Sequence, residues 1–165
     1  MENRFIKELE INRKMGSNTF DRNFERLYTN MAEIAFEFVN RNKNEVDKVY
    51  VFASMEADSL FYNVFYRIHE LPTELHQVNN LLIAKCDISN SRINDLLRQG
   101  TDFLEEVLDL FENDNREVPT LMKMTYEPKT GAFNNDISYE LNYSNHKDKT
   151  IVDVFKEWFE REKQV

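Results

Sequence analysis

Four side chains in this 165-residue sequence have the chemistry to hold a transition metal or to work as a nucleophile with its base: His69, His76, His146 and Cys86. His69 and His76 stand on either side of Pro72 and do not share a face of one regular element, and no other pair has the spacing by which zinc sites show themselves. Cys86 lies in the apolar run LLIAKCD and reads as a small core residue rather than a thiolate beside a base. Gly16, Gly100 and Gly131 fall in no phosphate-cradling pattern. Paired carboxylates are plentiful, with Glu56 and Asp58 close together and many acids after Asp95, but a carboxyl becomes a general acid only where burial raises its pKa. The residues therefore point to no metal, no cofactor and no catalytic set.

The acids themselves are the more informative feature. The chain carries 21 basic and 30 acidic side chains, a net charge of −9, and residues 49–118 hold 13 acids against 5 bases. Asp95, Asp102, Glu105, Glu106, Asp109, Glu112, Asp114 and Glu117 stand in one short stretch with only Arg98 and Arg116. Such a balance argues against direct nucleic-acid binding, which needs basic groups that release counterions from phosphates. A single cysteine and charges spread through the N-terminus read as a cytoplasmic chain without a signal peptide, and no apolar run approaches the ~20 residues of a membrane span.

The elements that position these acids follow from periodicity. After the polar Ser17–Thr19, residues Phe20, Phe24, Leu27, Tyr28, Met31, Ile34, Ala35 and Phe38 repeat at helical spacing and predict an amphipathic helix of about 20 residues. VDKVYVFAS and SLFYNVFYRIH predict two strands joined by a turn at Glu56–Asp58. Leu60, Tyr62, Val64, Tyr66 and Ile68 alternate with the more mixed Phe61, Asn63, Phe65, Arg67 and His69, which predicts one well-covered and one partly covered sheet face. Pro72 reads as a break and a third strand is expected within 74–79. Beyond Asn90 and Ser91, taken as the cap, comes the clearest helix. Ile93, Leu96, Leu97, Gly100, Leu104, Val107, Leu108 and Phe111 fall within an arc of roughly 120°, and Asp95, Asp102, Glu105, Glu106, Asp109 and Glu112 share the opposite arc. TLMKMTYE and AFNNDISYELNY flank the turn residues PKTG as a hairpin, the second strand alternating from Phe133 to Tyr143. Ile151, Phe155, Trp158 and Phe159 mark a terminal helix after Thr150. The fold class is α+β: an antiparallel sheet of about four to five strands in hairpins, covered by amphipathic helices in the order α-β-β-(β)-α-β-β-α. Residues 1–165 read as one domain, with 1–19 as an N-terminal extension or arm.

LYTNMAEIAFEFV, VDKVYVFASME, SLFYNVFYRI, INDLLRQGTDFLEEVLDLF, PTLMKMTYEPKTGAFNNDISYE and VFKEWFERE, in that order over about residues 24–162, resemble the YezG-like antitoxin family. The resemblance implies a small cytoplasmic immunity protein that binds and neutralises a secreted bacterial nuclease toxin, without enzymatic activity or cofactor. The charge pattern agrees with it, since a nuclease presents a basic groove that a clustered acidic face can occupy or flank. On charge periodicity the expected contact residues are Asp102, Glu105, Glu106, Asp109 and Glu112, with Glu56 and Asp58 at the turn. The alternative reading is a self-associating structural domain, a homodimer formed through exposed aromatic strand residues.

Overall fold

The computed structural model describes residues 19–165, so the 1–16 segment, Gly16 and all of the expected N-terminal extension except Thr19 lie outside the described residues. Helix α1 (Thr19–Phe38) has the length the periodicity predicts and buries Leu27, Met31, Ala35 and Phe36 along one stripe. β1 (Val46–Ser54) and β2 (Phe61–Ile68) pair antiparallel through a single helical turn at Glu56–Asp58, where Ala57 and Asp58 adopt left-handed φ values of 56° and 57°. β3 (Leu71–Glu74), α2 (Asn90–Asn113), β4 (Leu121–Glu127), β5 (Ala132–Ser138) and α3 (Ile151–Lys163) follow. All strands are antiparallel, and their order across the sheet is β3-β2-β1-β4-β5.

The alternation in β2 divides the core in two. Tyr62, Val64, Tyr66 and Ile68 face α1 and α2 and join Met31, Ala35, Leu104 and Val107 in the larger cluster. The Tyr62 hydroxyl donates to Met31 O and the Tyr66 hydroxyl to Ala35 O, both at 2.7 Å, which fastens α1 to the sheet through buried polar tips. α2 comes so close to the sheet that a Cβ at Gly100 would overlap the Tyr62 ring. On the opposite face Phe65 and Tyr50 stack at 4.1 Å, and Phe155, Trp158 and Phe159 of α3 pack onto them. That face is only partly covered, as expected: Asn134 and Asp136 of β5 share it and remain exposed.

Three details depart from the sequence reading. The third strand lies at Leu71–Glu74, and Leu75–Asn80 is a 3-10 helix. Pro72 is tolerated because β3 is an edge strand, where a missing N–H on the open side breaks no ladder. The cap of α2 is Ser89 rather than Asn90 or Ser91, its side chain accepting from Arg92 N at 3.4 Å. β5 stops at Ser138 although the alternation runs on to Tyr143, because the chain beyond it turns in to wrap Glu56.

Candidate functional site

α2 presents the predicted charged face. Its buried side is Leu96, Gly100, Leu104, Val107 and Phe111, and on the solvent side Asp102, Glu105, Glu106, Asp109 and Glu112 are all exposed. These five carboxylates span about 15 Å at ~1.5 Å per residue. Among the described residues none of them forms a salt bridge, whereas Asp95 before them pairs with Arg98 at 2.9 Å and Asp114 after them pairs with Arg116.

The helix gains nothing from this arrangement. Asp102 lies three and four residues from Glu105 and Glu106, Asp109 three and four from Glu106 and Glu105, and Glu112 three from Asp109. Each like-charge pair at such spacing destabilises a helix by roughly 0.2–0.5 kcal/mol. α2 also has no acid in its first turn and no base in its last, the reverse of what the macrodipole favours.

The two acids expected at the turn part company. Asp58 is exposed on the Glu56–Asp58 turn, outside the helix. Glu56 is 1 % exposed and does not stand on the surface at all. Its carboxylate accepts from Asn142 N at 2.7 Å, Tyr143 N at 3.1 Å, Ser144 N at 2.7 Å and the Ser144 hydroxyl, while the Tyr143 hydroxyl donates to its backbone carbonyl. Burial would raise this carboxyl, but the hydrogen bonds from Ser144, Asn142 and Tyr143 outweigh it and lower the pKa from 4.5 to about 2. Glu56 is a strut that binds residues 142–144 across the end of the sheet.

A second carboxylate does similar work that the sequence reading missed. Glu45 accepts from Ile83 N (2.7 Å) and Ala84 N (3.0 Å), and also meets Asn42 and His69; bonds from Ile83, Ala84 and Asn42 lower its pKa to about 2. His69 is thus engaged with Glu45, and His76 with Glu74. Cys86 is buried, which pushes its thiol up. Among the described residues no group of three or more His, Cys, Asp or Glu is placed to hold a metal ion, and no helix is long and apolar enough to cross a membrane.

Among the concavities away from the α2 stripe is a recess of about 270 Å³ where α2, α3 and the edge of β2 meet, lined by Phe61, Val64, Leu75, Ile93, Leu97 and Phe155 with the polar Asn63, Glu74, His76 and Lys156. It opens because β2 runs for eight residues and the strand beside it for four, a mismatch that the sequence, with the third strand expected within 74–79, does not signal. A family model described as immunity protein YezG-like matches residues 24–158 of the chain. No curated protein matches it.

Proposed function

The chain belongs to the YezG-like immunity protein family, and from that premise we propose that it binds and neutralises a cognate nuclease toxin, with the acidic face of α2 as the docking surface. The observation that carries this reading is the stripe Asp102, Glu105, Glu106, Asp109 and Glu112: five exposed carboxylates without ion-pair partners among the described residues, on a helix they do not stabilise. A nuclease groove that holds a phosphate backbone is basic, so the stripe complements it in sign. Opposed fields accelerate encounter, up to ~10⁸–10⁹ M⁻¹s⁻¹ at low salt, while affinity comes mainly from buried anchors. The protein's part in this reading is occlusion, cytoplasmic and without chemistry of its own.

The test is a pull-down from the native host lysate with the tagged chain, followed by a nuclease assay on the retained material. A basic nuclease is expected whose activity rises when the chain is removed, and whose association slows with added salt as charges are screened beyond about 10 Å at 0.1 M. A triple variant, Asp102→Lys, Glu106→Lys and Asp109→Lys, should slow association at least tenfold and remain folded, because all three side chains lie off the apolar face. Unchanged association kinetics would remove the stripe from the interface; absence of any nuclease would sink the functional reading itself.

A further inference from the structure

The apolar alternation of β5 outlasts the strand. Phe133 and Ile137 pack against the larger core, and Tyr139, Leu141 and Tyr143 continue their period of two beyond Ser138, where β5 ends. The fold recovers Tyr143, which packs on the α3 side and donates its hydroxyl to Glu56 O at 3.0 Å. Tyr139 and Leu141 are left outside, 47 % and 54 % exposed, and the Tyr139 hydroxyl has no hydrogen-bond partner among the described residues. Lone exposed apolar side chains are ordinary. These two differ in that the backbone under them is held from both sides. Thr120 N donates to Ser138 O at 2.9 Å, and the Thr120 hydroxyl lies 3.1 Å from Ser138 O and 2.6 Å from Glu140 O. On the far side the Glu56 carboxylate takes the N–H groups of Asn142, Tyr143 and Ser144. An aromatic and an aliphatic side chain are thus displayed on a strap that is already ordered, which removes much of the entropy cost that a flexible loop bears on binding.

The surroundings of the pair are acidic. Glu140 stands between them, Asp136 precedes them on β5, and Asp58 lies two residues from Glu56 on the turn that the strap crosses. All three are exposed, and none forms a salt bridge among the described residues. Asp136, Tyr139 and Glu140 also line a second recess, of about 500 Å³, on the half of the sheet that α3 leaves uncovered. Leu121 lines it too, with Lys123, which is half-buried and carries its ammonium 5.7 Å over the Trp158 ring. Two carboxylates and a phenol ring against that one ammonium make the recess a seat for a cationic head group, held by charge-assisted bonds and ring contact.

These charges decide between occupants. A two-fold contact sets a patch against itself, so a second copy would bring Asp58, Asp136 and Glu140 up to their own equivalents, between chains that each carry −9. A basic partner meets the same groups with opposite charge. The stripe is also within its reach: α2 ends at Asn113, and Thr120 beneath the strap is at most about 25 Å of extended chain away, which one interface of ordinary size spans. We propose that Tyr139 and Leu141 are the anchor of the nuclease interface, buried against the toxin domain, with one of its Lys or Arg side chains seated in the recess beside Asp136 and Glu140. This rests on the functional reading above and supplies the buried contact that the acidic stripe cannot.

The probe is the nuclease domain recovered in the pull-down, bound to the full chain. Tyr139→Ala and Leu141→Ala remove side chains that stand about half in solvent, so each variant should keep the parent's unfolding midpoint. Each should raise Kd at least tenfold, mainly through faster dissociation, whereas the triple stripe variant acts mainly on association. Asp136→Asn deletes one charge of the seat and should raise Kd about fivefold while flattening its dependence on salt. Sedimentation of the chain alone should show a monomer as its concentration rises. Either alanine variant binding as tightly as the parent, or an unchanged Kd in Asp136→Asn, overturns the anchor while the functional reading stands. A dimer of the chain alone that Leu141→Ala dissolves would assign the strap to a second copy and overturn it too. A nuclease domain that fails to bind the parent chain overturns both.

Discussion

α2 and α3 are amphipathic helices packed on opposite faces of one sheet, and their charges are arranged in opposite senses. α3 opens with a complete capping box, Thr150 and Asp153 satisfying each other's backbone donors, and closes with Arg161 and Lys163 in its last turn. Its outward acids are mostly engaged: Glu157 with Lys149 at 3.0 Å, Glu160 with Lys163 at 3.3 Å, and Glu162 with Arg67 and the Tyr50 hydroxyl. α2 has neither the acid at its start nor the base at its end, and its five central carboxylates repel one another in water. Charges on α3 and at Glu56 stabilise the fold that holds them; charges on the α2 face do not. The difference marks the α2 face as the acidic region that the fold itself does not use, which is what supports the proposal that it serves a partner.

The largest expected effect lies at Glu56, the acid most deeply committed to the fold. Glu56→Gln replaces an acceptor-only carboxylate with an amide that cannot satisfy the donors of Asn142, Tyr143 and Ser144 together. A loss of about 3 kcal/mol is expected in denaturant unfolding, consistent with a pKa lowered from 4.5 to about 2 at ~1.4 kcal/mol per unit. The sign follows from linkage: a depressed carboxyl pKa stabilises fully above the unfolded value, and that contribution is lost as pH falls from about 4.5 toward 2. Glu45 titrates over the same window, so the variant should keep a shallower acid limb rather than none. A variant as stable as the parent, with the same acid limb, would return Glu56 to the class of α2's acids and dissolve the contrast.

That contrast was only half legible in the sequence. The stripe was legible because helical periodicity alone assigns Asp102 to Glu112 to the side opposite Leu104 and Val107, whatever the tertiary fold. The length of α1, the strand VDKVYVFAS of β1 and the start of α3 after Thr150 were legible because each carries its signal within one local window. Glu56 was not, because its partners lie more than eighty residues away and nothing local distinguishes a strut from a surface acid. The third strand was misplaced because Pro72 is a break in a central strand and harmless at an edge, and which strand lies at the edge is a property of the sheet. The β5 alternation overran Ser138 because hydrophobic period does not record that the strap must turn toward Glu56.

A smaller effect tests the other half of the α3 side. Thr150→Ala removes the side chain that accepts from Asp153 N, and loss of such a cap costs about 1 kcal/mol. Because Trp158 is the chain's single tryptophan and sits between Phe52, Phe65 and Tyr50, its fluorescence reports docking of α3 directly. Thermal unfolding followed at Trp158 should shift to lower temperature. A variant with an unshifted midpoint would mean that α3 is held by its aromatic contacts alone, and that its favourable charges are incidental.

The smallest effect is also the sharpest, because its sign is opposite. Glu112→Lys on α2 exchanges the repulsion with Asp109 for an attraction and places a base in the last turn, where the macrodipole favours one. A gain of roughly 0.5 kcal/mol is expected in urea unfolding, in a chain where most surface changes are neutral or slightly harmful. If the same substitution slows association with the nuclease, stability and binding move in opposite directions at one residue, as they must where a charge is kept at the expense of the helix that carries it. If it destabilises the chain instead, Glu112 has a role within the fold, and the distinction between the two helices no longer separates structure from recognition.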